Sequence, residues 1–158
     1  MVKDKSATAN IDEVKTLRMV LDSMIVHQII NDKETEKIIE YIKKSSNSKI
    51  MVIDRILNET INMEEKEYGR KHTQNSIINK IAKVGEVKTF NVNHAAPSMI
   101  RAREIADSKK YVNDKGIGLS YTDCILLILH VERFANVMTR DKLLIRAAES
   151  EGRKIIPF

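Results

Sequence analysis

Short apolar runs alternate along the chain with longer segments whose apolar residues recur at three- and four-residue spacing. Residues 17–21, interrupted only by Arg18, predict a buried strand, and Met24, Ile25, Ile29 and Ile30 predict a helix directly after it. Ile38, Ile39 and Ile42 share one face of a second helix over about 33–44. A second strand is expected over 49–53, followed by a long, mostly polar helical stretch over about 55–83. Gly85 breaks that stretch, and 87–92 alternates as a third strand. Pro97 suits the first turn of a helix running to about residue 112. The apolar segment 120–134 predicts a helix buried on most sides. A short strand over 137–139, a helix over 142–150 and a last strand over 154–156 complete the pattern. Strands alternating with helices predict an α/β fold with a mostly parallel central sheet. Residues 1–16 read as a polar leader, and 17–158 as a single domain without internal repeats.

Composition narrows this reading. A chain of 158 residues can bury a proper core, and 42% hydrophobic against 31% charged residues excludes a disordered polymer. Three Phe, four Tyr and no Trp leave that core to aliphatic side chains. No apolar run approaches the ~20 residues that span a bilayer, and residues 1–16 lack the apolar stretch of a secretory signal. The single cysteine, Cys124, permits no internal disulfide, which fits a reducing cytoplasm. The expectation is a cytoplasmic protein without membrane contact.

The formal net charge of +5 points weakly to an anionic partner such as nucleic acid. Four acidic residues cut across that basic balance. Asp22 follows the first strand and Asp141 lies two residues after the 137–139 strand. Glu59 falls on the helix after the second strand, and Asp123 in the first turn of the apolar helix. In open α/β sheets ligands bind beyond the carboxyl ends of strands, so all four are candidates for one edge of one sheet. Each also has an ordinary explanation. Asp22 and Asp141 suit helix N-caps, Ser120 and Asp123 have capping-box spacing, and Glu59 precedes the acidic Glu64, Glu65 and Glu67 on a solvated face. The four histidines show no paired metal spacing, and Cys124 reads as a small core residue.

Several stretches carry a family resemblance. Leu119-Ser120-Tyr121-Thr122-Asp123-Cys124 precedes the apolar helix, and Val137-Met138-Thr139-Arg140-Asp141 follows it. Val20-Leu21-Asp22-Ser23 and Ile56-Leu57-Asn58-Glu59-Thr60 stand near the first two strands, and Arg146-Ala147-Ala148-Glu149 to Lys154-Ile155-Ile156-Pro157 closes the chain. Together they resemble the PIN-domain ribonucleases over about residues 17–158. Met24 departs from the family's pattern, which usually has a small polar residue there. The resemblance implies a three-layer α/β/α fold and a catalytic set of Asp22, Glu59, Asp123 and Asp141. Asp22 and Asp123 would be direct ligands of Mg²⁺ or Mn²⁺, and Thr139 would orient a carboxylate. It further implies an RNA substrate, a homodimer and the role of a VapC-like toxin held by a cognate antitoxin. The alternatives are a housekeeping RNA-processing nuclease, a non-catalytic RNA-binding module of the same fold, and a phosphoacceptor receiver domain. The last lacks the acceptor Asp it needs after the third strand, where Val92-Asn93-His94 stands.

Overall fold

The computed structural model describes residues 17–158, so the polar leader lies outside the described residues. Four strands, β1 (Met19–Leu21), β2 (Lys49–Ile53), β3 (Glu86–Phe90) and β4 (Asn136–Met138), form one sheet in the order β3-β2-β1-β4. Every pairing is parallel. Among the described residues, seven helices connect or follow them: α1 (Ser23–Ile30), α2 (Thr35–Ser46), α3 (Asp54–Tyr68), α4 (Gln74–Ile81), α5 (Pro97–Ser108), α6 (Tyr121–Val131) and α7 (Lys142–Ser150). The first three strands step in one direction with α1–α4 on their connections. The chain then returns across the sheet through α5 and α6 to place β4 beside β1. Right-handed crossovers in opposite directions put the two helix groups on opposite faces. The result is a three-layer α/β/α fold whose strand order reverses between β1 and β4.

The core is aliphatic. Val20, Leu21, Ile25, Ile50, Val52, Ile53 and the run 124–128 on α6 have essentially no solvent exposure. Among the described residues no helix is long and apolar enough to cross a membrane. Gly85 marks the tightest backbone approach. A Cβ there would lie 2.5 Å from the Ser48 carbonyl oxygen and 2.8 Å from Ile50 Cδ1. That same carbonyl accepts the Glu86 N–H at 2.7 Å, so it cannot retreat without loosening the start of the β2–β3 ladder. Gly85→Ala is therefore expected to destabilise the fold by ~1–3 kcal/mol. Urea melts should show a lower midpoint with an unchanged slope.

Two expected elements are corrected. The stretch over 55–83 is two helices, not one. Gly69 takes a left-handed conformation (φ +64°), and the Gly69 and Arg70 amides donate to Glu65 and Glu64 carbonyls, ending α3. Thr73 and Ser76 then form a capping box that starts α4. Glu64, expected on a solvated face, is fully buried and receives Arg70 at 3.0 Å and Asn31 at 3.2 Å. Burial pushes its carboxyl up, yet those hydrogen bonds and the charges of Arg70 and His27 outweigh this and hold it below the usual range.

The expected strand over 154–156 does not form either. His130 stands where its ladder would be. The Val137 N–H of edge strand β4 donates to His130 Nδ1 at 3.2 Å, and Nε2 donates to the Arg153 and Lys154 carbonyls at 3.1 and 3.0 Å. Tyr41 takes the Ile156 carbonyl at 2.8 Å. An imidazole thus bridges the sheet edge to the tail, and burial, which lowers its pKa, favours the neutral ring those bonds require.

Candidate functional site

Three of the four candidate acids meet at the strand-order reversal, the crevice where this class of sheet binds ligands. Asp22, Asp123 and Asp141 line an open pocket of about 490 Å³ with Ser23, Met24, Gln28 and Arg140. Asp22 is the first residue after β1, and its N–H still donates to the Met138 carbonyl of β4 at 3.1 Å. It caps α1, with Oδ1 accepting from Ser23 N at 2.7 Å. Asp123 shares a complete capping box with Ser120 at the start of α6. Asp141 caps α7, accepting from the Leu143 and Leu144 amides at 2.9 and 3.3 Å. Asp22 and Asp141 are therefore caps and Asp123 is the partner of one, and the three capped helix ends face one pocket. The two readings of these residues are compatible, because a helix N-terminus stabilises the carboxylate it is capped by.

Thr139 ties the pocket together. Its buried hydroxyl accepts the Asp141 N–H at 3.0 Å, which leaves its own proton to donate to Asp22 Oδ2 at 2.5 Å. Both oxygens of Asp22 are thereby held, while Asp123 Oδ1 and Asp141 Oδ2 accept no hydrogen bond from the described residues. Asp22 is 7% exposed. Burial raises its pKa despite the bonds from Thr139 and Ser23, and the charge of Asp141 adds to the rise. Asp123 is pushed up to about 6, first by burial and then by the charge of Asp22.

Glu59 does not line this pocket. Its Oε1 accepts from Thr122 Oγ1 at 2.7 Å, and that hydroxyl accepts from Arg55 Nε at 3.0 Å. It stands beside the first turn of α6, linked to the pocket through Thr122 rather than facing into it. Arg140, the pocket's cation, is bound to Glu34 at 2.5 Å and lies over the Phe158 ring. Met24 is half exposed on the rim. Cys124 is fully buried, and burial followed by the Asp123 charge pushes its thiol up to about 12, which suits a packing residue.

Among the described residues, no three His, Cys, Asp or Glu side chains converge into a ready-made metal cage. The donor set nevertheless suits a hard, hydrated cation. Mg²⁺ binds through one or two carboxylates and keeps several waters. Asp22 and Asp123 repel each other here, and among the described residues no unpaired cation lines the pocket. Gln28 contributes a buried carbonyl oxygen without a partner among the described residues, which a hydrated cation would satisfy.

A second group stands at the start of α6. Arg103 lies over the Tyr121 ring at 3.5 Å and Arg55 at 5.0 Å from its centroid, while His94 Nδ1 meets the Tyr121 hydroxyl at 2.7 Å. Arg101 and Arg103 form a basic pair in the sequence, and nothing in their spacing separates the two. The fold does: Arg101 is paired with Glu151 at 2.9 Å, and Arg103 turns to the aromatic ring.

No family model matches the sequence, and no curated protein matches it. Among solved structures, the crystal structure of PAE2754 from Pyrobaculum aerophilum is similar in fold. It has 12% sequence identity, a TM-score of 0.54 and coverage of 91% of each chain. At that identity the likeness extends to the fold, and the α/β/α architecture with its parallel sheet is what the two proteins share.

Proposed function

We propose that the protein is a divalent-metal-dependent ribonuclease whose reaction occurs at the Asp22–Asp123–Asp141 pocket. The observation that carries this reading is the gathering of three carboxylates at three helix N-termini, two of them with pKa values raised by burial and by the charge of a neighbouring carboxylate. Such a pocket is unfavourable for the protein alone and becomes favourable around a cation. RNA as substrate, action in the cytoplasm and a toxin's role held by an antitoxin rest on the sequence resemblance.

Asp22 and Asp123 would hold Mg²⁺ or Mn²⁺. The bound cation would supply Lewis-acid polarisation of a phosphodiester and lower the pKa of a water. Thr139 fixes the Asp22 carboxylate so that its orientation is set before substrate arrives. Asp141, exposed at the pocket rim with one unbonded oxygen, is placed to accept a proton from the attacking water. The three helix ends direct positive dipoles at the same space, which favours a phosphate there. Glu59 acts on the site from outside, through Thr122.

A second reading, a non-catalytic RNA-binding module, draws on the position of Glu59 outside the pocket and the absence of a closed cage among the described residues. One experiment separates them. Purified protein is incubated with labelled single-stranded RNA in Mg²⁺, in Mn²⁺ and in EDTA. Cleavage in both metals and none in EDTA is expected. Binding without cleavage in any condition would leave the module reading in its place.

A further inference from the structure

The group around Tyr121 has no assigned task in the chemistry above, and its charges are unbalanced. Several other arginines meet carboxylates: Arg70 with Glu64, Arg101 with Glu151, Arg140 with Glu34. Arg55 and Arg103 form no ion pair among the described residues, although both guanidinium groups lie over one ring. Placing two like charges on a single aromatic is favourable only if their repulsion is relieved by the ring and by an anion from outside. Glu59, beside the first turn of α6, accepts the Thr122 hydroxyl proton at Oε1.

The scaffold holds these groups in place. Tyr121 is 7% exposed, so its ring is a fixed platform and not a free stacking surface. Arg55 is fastened by Nε to Thr122, which leaves its terminal nitrogens available. Arg103 is exposed on α5. His94, in the turn before α5, meets the Tyr121 hydroxyl through Nδ1 and leaves Nε2 without a partner among the described residues. Three donors from α3, α5 and the β3–α5 connection therefore converge on the first turn of α6. Asp123 belongs to that same turn, two residues further on and on another face of the helix end.

We propose that Arg55, Arg103 and His94, arranged around Tyr121, bind a backbone phosphate of single-stranded RNA neighbouring the phosphate at the acidic pocket. The inference rests on the nuclease reading and adds the direction in which the strand leaves the pocket, over the start of α6 toward α5. Guanidinium forks match phosphate oxygens in a bidentate manner, and a flat guanidinium backed by a ring also accepts a stacked base on its outer face.

The test is anisotropy titration of a labelled single-stranded RNA with the whole protein in EDTA, at several salt concentrations. Arg103→Gln and Arg55→Gln are each expected to weaken binding about tenfold. The slope of log affinity against log salt should become shallower by about 0.7, the loss of one phosphate contact on a single strand. Arg103→Lys keeps the charge and loses the planar fork, so its slope should stay near wild type while affinity falls. Circular dichroism melts of the same variants check that folding is intact, as expected for Arg103, which is exposed, while the partly buried Arg55 is expected to lose some stability with its bond to Thr122. Wild-type affinity and slope in both Gln variants, alongside intact metal-dependent cleavage by the unmodified protein, would overturn this inference alone. Failure of the unmodified protein both to bind and to cleave RNA would remove the nuclease reading and this inference together.

Discussion

Asp22→Asn and Asp123→Asn are each expected to lower metal-dependent RNA cleavage by at least ~100-fold, the loss of one strong transition-state interaction. The two changes differ in what else they disturb. At Asp123 an amide oxygen can still accept the Ser120 N–H, so the capping box survives and only the charge is lost. At Asp22 both oxygens accept, one from Ser23 and one from Thr139, and the Thr139 proton is committed to Asp22 by the Asp141 amide behind it. An Asn amide nitrogen must face one of those donors, so Asp22→Asn also costs some stability. Initial rates on labelled RNA, with Mg²⁺ raised to saturation, measure both effects. Activity within tenfold of wild type in either variant, or wild-type cleavage surviving in EDTA, would remove the acidic pocket from the chemistry.

The second large effect is on stability, and its sign separates a functional cluster from three ordinary caps. Asp123 has a folded-state pKa of about 6, above its ordinary value of 3.8. The folded protein thus holds a proton that the unfolded chain has released. Stability is expected to fall as pH rises from about 4 to about 6, and to level off above that. At ~1.4 kcal/mol per unit the ceiling is about 3 kcal/mol, and water reaching this partly exposed carboxylate lowers it further. Asp22, also raised, moves in the same direction. Asp123→Asn removes one of the opposed charges. In EDTA at pH 8 it should melt higher than wild type and gain much less from added Mg²⁺, the trade-off common at functional sites. If Asp123 served only as a cap, the variant would instead lose ~0.3–1 kcal/mol and gain the same from Mg²⁺ as wild type.

Much of the architecture was legible because burial leaves a period in the sequence. The runs at β2 and α7 were read to the residue, and the apolar block of α6 announced a helix with few solvated positions. The misreadings have local physical causes. The 55–83 stretch hid its break because polar residues on both sides masked the one informative residue, Gly69, whose left-handed conformation stops a helix. Glu64 carried a usable signal: Leu57, Thr60 and Glu64 recur at helical spacing and share the buried face. The tail was expected as a strand because Ile155 and Ile156 suit one, but a side-chain ladder through His130 has no sequence period. The meeting of Asp22 and Asp141 follows from their strand ends, and Asp123 joins them from the first turn of α6. The setting of Glu59 and of Arg103 depended on how α3 and α5 turn against α6, which no short-range pattern encodes.

The reversal of strand order also dictates when the pocket can exist. Asp22 and the Thr139 hydroxyl that orients it are 117 residues apart, and β4 pairs with β1 only after β2 and β3 have been laid down on its other side. A ribosome making this protein therefore exposes Asp22 early, yet the carboxylate has no hydroxyl to hold it and no Asp141 beside it until β4 has emerged. On the nuclease reading proposed above, the pocket stays incomplete until residues 136–141 have been made.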